Sequence, residues 1–150
     1  MSSVNSEYLI KMIQVKADFE AEIYPGIKGD ITIRIPAEQI ISVVEIFLGN
    51  FDYCHLSAIT VQKRAFDIEN IEVFYNFWAG RSLSLMVELI GPSKKLPSLI
   101  SLIPGADFYE REAAEMFGIE FTGREETPHL LLPDDWDEGP PFLSSEENDG

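Results

Sequence analysis

Through residues 18–90 the apolar side chains recur mostly at every second position, and that alternation limits the folds open to the chain. Leu83, Leu85, Val87 and Leu89 alternate with Ser82, Ser84, Met86 and Glu88. Such a period places one apolar face on a β-strand. The same pattern predicts strands over 18–24 (Phe19, Ala21 and Ile23 against Glu20 and Glu22) and over 31–35. A Gly/Pro-containing loop between these two reads as a hairpin turn. Further strands are predicted over 54–63, 71–79 and 82–90. The period changes to helical spacing in two places. Residues 5–16 form an amphipathic pattern with Asn5 or Ser6 as cap. A second helix starts at Pro36, presents Ile40, Ile41, Val44, Phe47 and Leu48 to the core, and ends at Gly49-Asn50. The order α-β-β-α-β-β-β implies an α+β fold, a two-layer domain whose helices cover one face of a mixed sheet. We place this core domain at residues 1–92, an arm with a short helix at 93–142, and a disordered acidic tail at 143–150.

The arm carries Gly105-Ala106-Asp107-Phe108-Tyr109-Glu110-Arg111-Glu112-Ala113-Ala114-Glu115-Met116-Phe117-Gly118-Ile119-Glu120-Phe121. Asp107 reads as an N-cap with Glu110 completing a capping box. Tyr109, Ala113, Met116 and Phe117 form one apolar stripe, and Arg111 and Glu115 can pair across one turn. Gly118 suits a left-handed helix end. Ile119 and Phe121 then alternate with Glu120 and Thr122 as the chain extends. Beyond Gly123 the run Leu130-Leu131-Leu132-Pro133-Asp134-Asp135-Trp136 stops any regular element at Pro133 and leaves Trp136 needing a surface to cover.

In order and spacing, these segments resemble the NADH dehydrogenase 30 kDa-type subunit family of respiratory complex I and the related subunit of archaeal membrane-bound energy-converting hydrogenases. The residues that carry the resemblance are Glu110-Arg111-Glu112, Glu115-Met116-Phe117-Gly118-Ile119, Phe121-Thr122-Gly123, Leu130 through Trp136, and Gly139-Pro140. Leu96-Pro97-Ser98-Leu99 and Ile103-Pro104-Gly105-Ala106 resemble the archaeal branch. This chain departs from the family pattern in following Gly123 with Arg124-Glu125-Glu126 and in ending with acidic residues. The resemblance implies the same α-β-β-α-β-β-β order. It also implies a non-catalytic accessory subunit of the hydrophilic arm, held between a large catalytic subunit and a small iron–sulfur subunit, with the membrane arm reached only indirectly.

Charge narrows the partners. Residues 1–105 carry 9 basic and 12 acidic side chains, net −3, whereas residues 106–150 carry 2 basic and 14 acidic ones, net −12. Acidity concentrated in the arm argues against nucleic acid and against direct binding to an anionic membrane, and it suits a basic protein partner. No apolar run approaches the ~20 residues of a membrane helix. No secretory signal pattern opens the sequence. One cysteine, Cys54, excludes an internal disulfide and suits a reducing compartment. A cytoplasmic position, peripheral on the inner face of the membrane as part of a complex, follows as the expectation.

The residue types offer little independent chemistry. A cubane cluster usually takes four cysteines, and a zinc site takes a compact ligand set. With one cysteine and two distant histidines, His55 and His129, the chain is expected to hold no cofactor of its own. Iron–sulfur clusters, with nickel–iron as an option, are expected in the partner subunits. Glu110, Glu112, Glu115, Asp134 and Asp135 could in principle supply an acid and a base, but an acid-rich helix face is more often solvated or paired. No phosphate-cradling glycine loop or nucleophilic serine elbow is present. Aromatic and arginine side chains are common anchors of protein interfaces. Glu110, Arg111, Glu112, Phe121, Leu132, Pro133, Asp134, Asp135 and Trp136 are therefore the candidate partner-contact residues. Three readings remain open beside the hydrogenase type: a quinone-, F420- or sulfur-reducing relative, a free-standing acidic binding module, and an independent hydrolase.

Overall fold

The computed structural model describes residues 6–16, 21–25, 30–51, 53–64 and 67–124. The predicted Asn5 cap, Phe19, the acidic tail and all of the arm beyond Arg124 lie outside these residues. Helix α1 (Ser6–Lys16) is followed by β1 (Glu22–Pro25) and β2 (Ile31–Arg34). A single 3-10 turn, Ala37–Gln39, leads into α2 (Ile40–Asn50). Three long strands come next: β3 (His55–Arg64), β4 (Asp67–Trp78) and β5 (Ser82–Leu89). A short strand β6 (Lys95–Pro97), helix α3 (Ala106–Phe117) and a short strand β7 (Glu120–Thr122) complete the described chain.

The sheet has the order β1-β2-β5-β4-β3. It is mixed: β2 runs parallel to β5, and every other neighbouring pair is antiparallel. β1 and β2 form the predicted hairpin, with Ile23 opposite Ile33. The parallel pair sets Ile31 beside Leu83 and Ile33 beside Leu85. Further across, Leu85 stands opposite Tyr75 and Tyr75 opposite Ile59. These six residues from β2 to β3 share one face, and Ile33, Leu85, Tyr75 and Ile59 form a buried row across it. The opposite face is polar and partly open. There Ser84 donates to Asn76 Oδ1 at 2.8 Å, and Asn76 donates to Thr60 at 3.2 Å. Arg34 pairs with Glu88 at 2.9 Å on the same face. Alternation thus produced a sheet with one dry side, as antiparallel ladders commonly do.

Helix α2 closes the dry side. It buries Ile40, Val43, Val44, Ile46 and Phe47. The Phe47 ring meets Phe77 of β4 edge-on at 5.7 Å. The predicted face included Ile41 and Leu48, which are only partly buried against the core. Apolar residues surround this helix on most sides, so its periodicity alone could not resolve which ones faced inward. Pro36 precedes the 3-10 turn, in extended backbone at φ −67° and ψ 148°, instead of entering the first turn of the α-helix.

Residues 93–124 pack onto the same core. Leu96, Leu99, Ala106, Ala113, Ile119 and Phe121 belong to one continuous hydrophobic cluster with the sheet residues. β6 and β7 form a separate parallel pair, Leu96 beside Phe121. Gly118 ends α3 at φ 73° and ψ 25°, the left-handed conformation that its position predicts. Ile119 and Phe121 then turn inward while Glu120 and Thr122 stay exposed.

Candidate functional site

Helix α3 buries Ala106, Glu110 and Ala113, three residues spaced i, i+4, i+7. The predicted apolar stripe of Tyr109, Ala113, Met116 and Phe117 is therefore rotated in the structure. Ala113 is buried, and Tyr109 and Phe117 are partly buried against the core. Two alanines let the helix axis lie close to its neighbours, and the space between them takes a carboxylate. Glu110 has no solvent exposure at all.

The start of α3 explains how Glu110 came to face inward. Its N-cap is Gly105, with no side-chain cap bond. The preceding residues already turn helically. Ile103 N–H donates to Leu99 C=O at 2.7 Å, Ala106 N–H to Ile103 C=O at 2.9 Å, and Asp107 N–H to Pro104 C=O at 3.2 Å. Backbone carbonyls thus satisfy the first helical N–H groups that a capping side chain would otherwise take. The expected capping box of Asp107 and Glu110 does not form, and both side chains serve other bonds.

Glu110 collects three donors. Its Oε2 accepts the Leu99 backbone N–H at 2.6 Å. Its Oε1 accepts the Ser98 hydroxyl at 2.7 Å and Arg124 Nη1 at 3.1 Å. Ser98 Oγ in turn accepts the Ile100 N–H at 3.2 Å. The other terminal nitrogen of Arg124 pairs with Asp107 Oδ1. Asp107 also faces Arg111, one turn along the helix, at 3.8 Å. A planar guanidinium suits this double engagement, because its donors form a rigid fork. Burial of Arg124 works against its charge, but the hydrogen bonds and charges of Asp107 and Glu110 outweigh that and raise its pKa. Burying an ion pair is costly unless each group is well bonded, and breaking one costs roughly 3–5 kcal/mol.

Tyr75 borders this cluster from the sheet. Its hydroxyl is buried and finds no hydrogen-bond partner among the described residues. Burial, and then the negative charge of Glu110, push its ionisation well above the ordinary phenol range. Chemically the arrangement is a clasp. A fully buried carboxylate with both oxygens taken by donors holds segments together, and it is poorly placed to accept a proton from a substrate.

The candidate contact residues fall into three groups. Glu110 and Phe121 are buried within the chain. Arg111 and Glu112 are half-buried on α3. Leu132, Pro133, Asp134, Asp135 and Trp136 lie outside the described residues. Sequence reasoning missed Ser98, the Leu99 N–H, Tyr75 and Arg124. The available signal was small: a glutamate falling on the same helical face as Ala106 and Ala113, and a lone arginine after Gly123 in a segment otherwise rich in acids. Among the described residues no group of three or more Cys, His, Asp or Glu side chains could hold a metal ion. None of the described helices is long and apolar enough to cross a membrane.

The sequence profile of the family described as "Respiratory-chain NADH dehydrogenase, 30 Kd subunit" matches residues 33–148. The chain belongs to this family. The corresponding NADH-quinone oxidoreductase subunit of Salinispora tropica is 29% identical over 141 residues, covering 83% of this chain and 57% of that protein. Its counterpart from Roseiflexus castenholzii is 29% identical over 126 residues, covering 75% of this chain and 68% of its own length. The chain therefore spans little more than half the length of the Salinispora relative. Among solved structures, a chain of the membrane-bound sulfane sulfur reductase, an archaeal respiratory membrane complex, superposes with a TM-score of 0.67 at 25% identity. That match covers 86% of this chain and 77% of the other. The trypsin-resistant fragment of Nqo5 superposes with a TM-score of 0.63 at 20% identity, covering 81% of this chain and 98% of the fragment, and shows the shared fold. The family match takes in helix α3, Arg124 and the Leu130–Trp136 run together.

Proposed function

We propose that this member of the 30 kDa-subunit family is a non-catalytic subunit in the hydrophilic arm of a complex I-like membrane oxidoreductase. It would hold a large catalytic subunit and a small iron–sulfur subunit in register, so that electron transfer between their centres can be coupled to ion translocation in the membrane arm. The observation that carries this reading is the family match over residues 33–148, which spans both the core and the arm. Its own residues act by packing. The Glu110 clasp stiffens the base of α3 from inside, Arg111 and Glu112 lie at its half-buried flank, and Asp134, Asp135 and Trp136 meet basic and apolar partner surfaces. The redox groups belong to the partners, and the complex sits on the cytoplasmic face of the membrane.

The kind of complex divides into two readings. The curated relatives are subunits of NADH-quinone oxidoreductases. The likeness to a chain of an archaeal sulfane sulfur reductase favours an archaeal-type assembly instead, reducing sulfur or evolving hydrogen. Tagged protein isolated from membranes in mild detergent, with its companions identified by mass spectrometry, tells a hydrogenase from the other complexes. A large subunit with nickel-ligating cysteines means a hydrogenase, and one without them means a quinone-, F420- or sulfur-reducing complex. A folded chain that emerges alone refutes the subunit reading and leaves an acidic binding module.

A further inference from the structure

The face of the sheet turned away from the helices carries more apolar bulk than a solvated face requires. Helices α1, α2 and α3 all place residues in the core cluster on the other side, and Phe74, Met86 and Trp78 lie outside that cluster. The register sets these three on the open face. Met86 stands between Arg34 of β2 and Phe74 of β4, and Trp78 follows Phe74 by four residues along β4. Met86 is 8% exposed and Trp78 48%. The polar side chains between them bond to one another: Ser84 to Asn76, Asn76 to Thr60, and Arg34 to Glu88. Covering this face would therefore strand few donors or acceptors, which is the cost that ordinarily keeps polar groups in water. Charge is sparse as well. From the Trp78 row to the Glu72 row the charged side chains are Arg34, Glu72 and Glu88, one positive and two negative, in a chain of net charge −15. At strand and residue spacings of about 4.8 Å and 3.3 Å, the three long strands and the shorter β2 offer roughly 450 Å² in projection. One partner's share of the about 1,000 Å² in all that a specific interface needs is close to that.

We propose that this face, with Phe74, Trp78 and Met86 as its apolar anchors, is a second docking surface, covered in the complex by a neighbouring subunit through a flat, uncharged and mainly apolar patch. The inference rests on the subunit reading above and adds to it. The flank of α3 that carries Arg111 and Glu112 belongs to the helical layer, whereas Trp78 belongs to the bare side of the sheet. The two surfaces thus lie on opposite sides of the domain, as a chain that holds two subunits in register needs. Trp and Met are common in the apolar centres of interfaces, where charge is scarce. A second copy of the chain is a poorer occupant, because two molecules of net charge −15 repel as they approach.

Hydroxyl-radical footprinting, read by peptide mass spectrometry, measures how open the Trp78 ring is in the isolated chain and in the complex drawn from membranes by a tag. Oxidation of Trp78 should fall at least fivefold in the complex. Trp78→Ala should bring down at least tenfold less of one companion subunit than the wild type does. Its urea midpoint as an isolated chain should stay close to that of the wild type, because the ring lies outside the core. Equal oxidation of Trp78 in the complex and in the isolated chain overturns the proposal, and so does full retention of every companion by Trp78→Ala. Should that variant fail to fold, the footprint of the wild type still decides. A homodimer of the isolated chain, seen by light scattering, in which Trp78 is protected overturns the choice of occupant. If the wild type brings down no companion, the subunit reading fails and the docking surface with it. If companions come down while Trp78 stays open, the docking surface alone fails.

Discussion

Replacing Tyr75 by Phe should stabilise the protein, an unusual result for a fully buried residue at the centre of a sheet. The ring is completely covered, and its hydroxyl has no hydrogen-bond partner among the described residues. A buried polar group without a partner costs about 1–3 kcal/mol of desolvation. Removing one oxygen forfeits only a few contacts, each worth ~0.1–0.2 kcal/mol. The balance is a gain of about 1 kcal/mol at neutral pH, or a rise in Tm of roughly 2–4 °C for a chain of this size. The gain should grow with pH, and the sign follows from the raised pKa. Below about pH 10 the hydroxyl is neutral in both states. Above that pH the unfolded chain releases the proton while the folded chain retains it, so wild-type stability falls. Each further pH unit should widen the gap between the two proteins by up to about 1.4 kcal/mol. Urea unfolding at pH 7 and at pH 10.5, with equal m-values for both proteins, supplies the comparison. A loss of 1 kcal/mol or more at pH 7 would refute the reasoning, because it would mean that the hydroxyl is well bonded.

Three further outcomes can be checked on the isolated chain. Gly118→Ala should lower stability by about 1 kcal/mol in urea unfolding, because alanine resists the left-handed backbone at φ 73°. Leu96→Ala removes a side chain with no exposure from the junction of β6 with the core, and should cost about 2–5 kcal/mol by the same assay. Cys54, whose pKa burial raises to about 11, should react with iodoacetamide at pH 8 on the order of a hundredfold more slowly than in the unfolded chain. Its rate should climb with pH up to about 11. The stability it contributes is complete below pH 9 and is lost as pH rises through 11.

The strands were legible because one property, side-chain alternation, is set by geometry alone. Leu83, Leu85, Val87 and Leu89 had to share a face once the segment was extended, and all four are buried. Gly118 was legible for a similar reason, since few residues tolerate its backbone. What could not be read depended on partners distant in sequence. That β2 lies parallel to β5 follows from the crossover through α2, β3 and β4, which no local pattern encodes. β6, only Lys95–Pro97, has too few residues to show a period. The Asp107 capping box failed because the turn before the helix supplied carbonyls of its own. Glu110 read as a surface acid because its three donors come from residues 98, 99 and 124, and a carboxylate's burial is decided by such donors more than by its neighbours in sequence.

The sheet order also has a temporal side. β3, β4 and β5 are joined in succession and pair as neighbours, so they can assemble as soon as they are synthesised. The β1–β2 hairpin is made before them and has no strand to join until β5 follows. Its only other partner is β5, and Ile31 must wait for Leu83 to be made. Closing so long a loop is slow compared with forming a local hairpin. During that interval the unpaired edge of β2, with Ile31 and Ile33 on one side, stands open as a template for another chain. Production of this protein at low temperature, or beside a chaperone that shields strand edges, should therefore raise the yield of correctly folded chain more than any change to its finished surface.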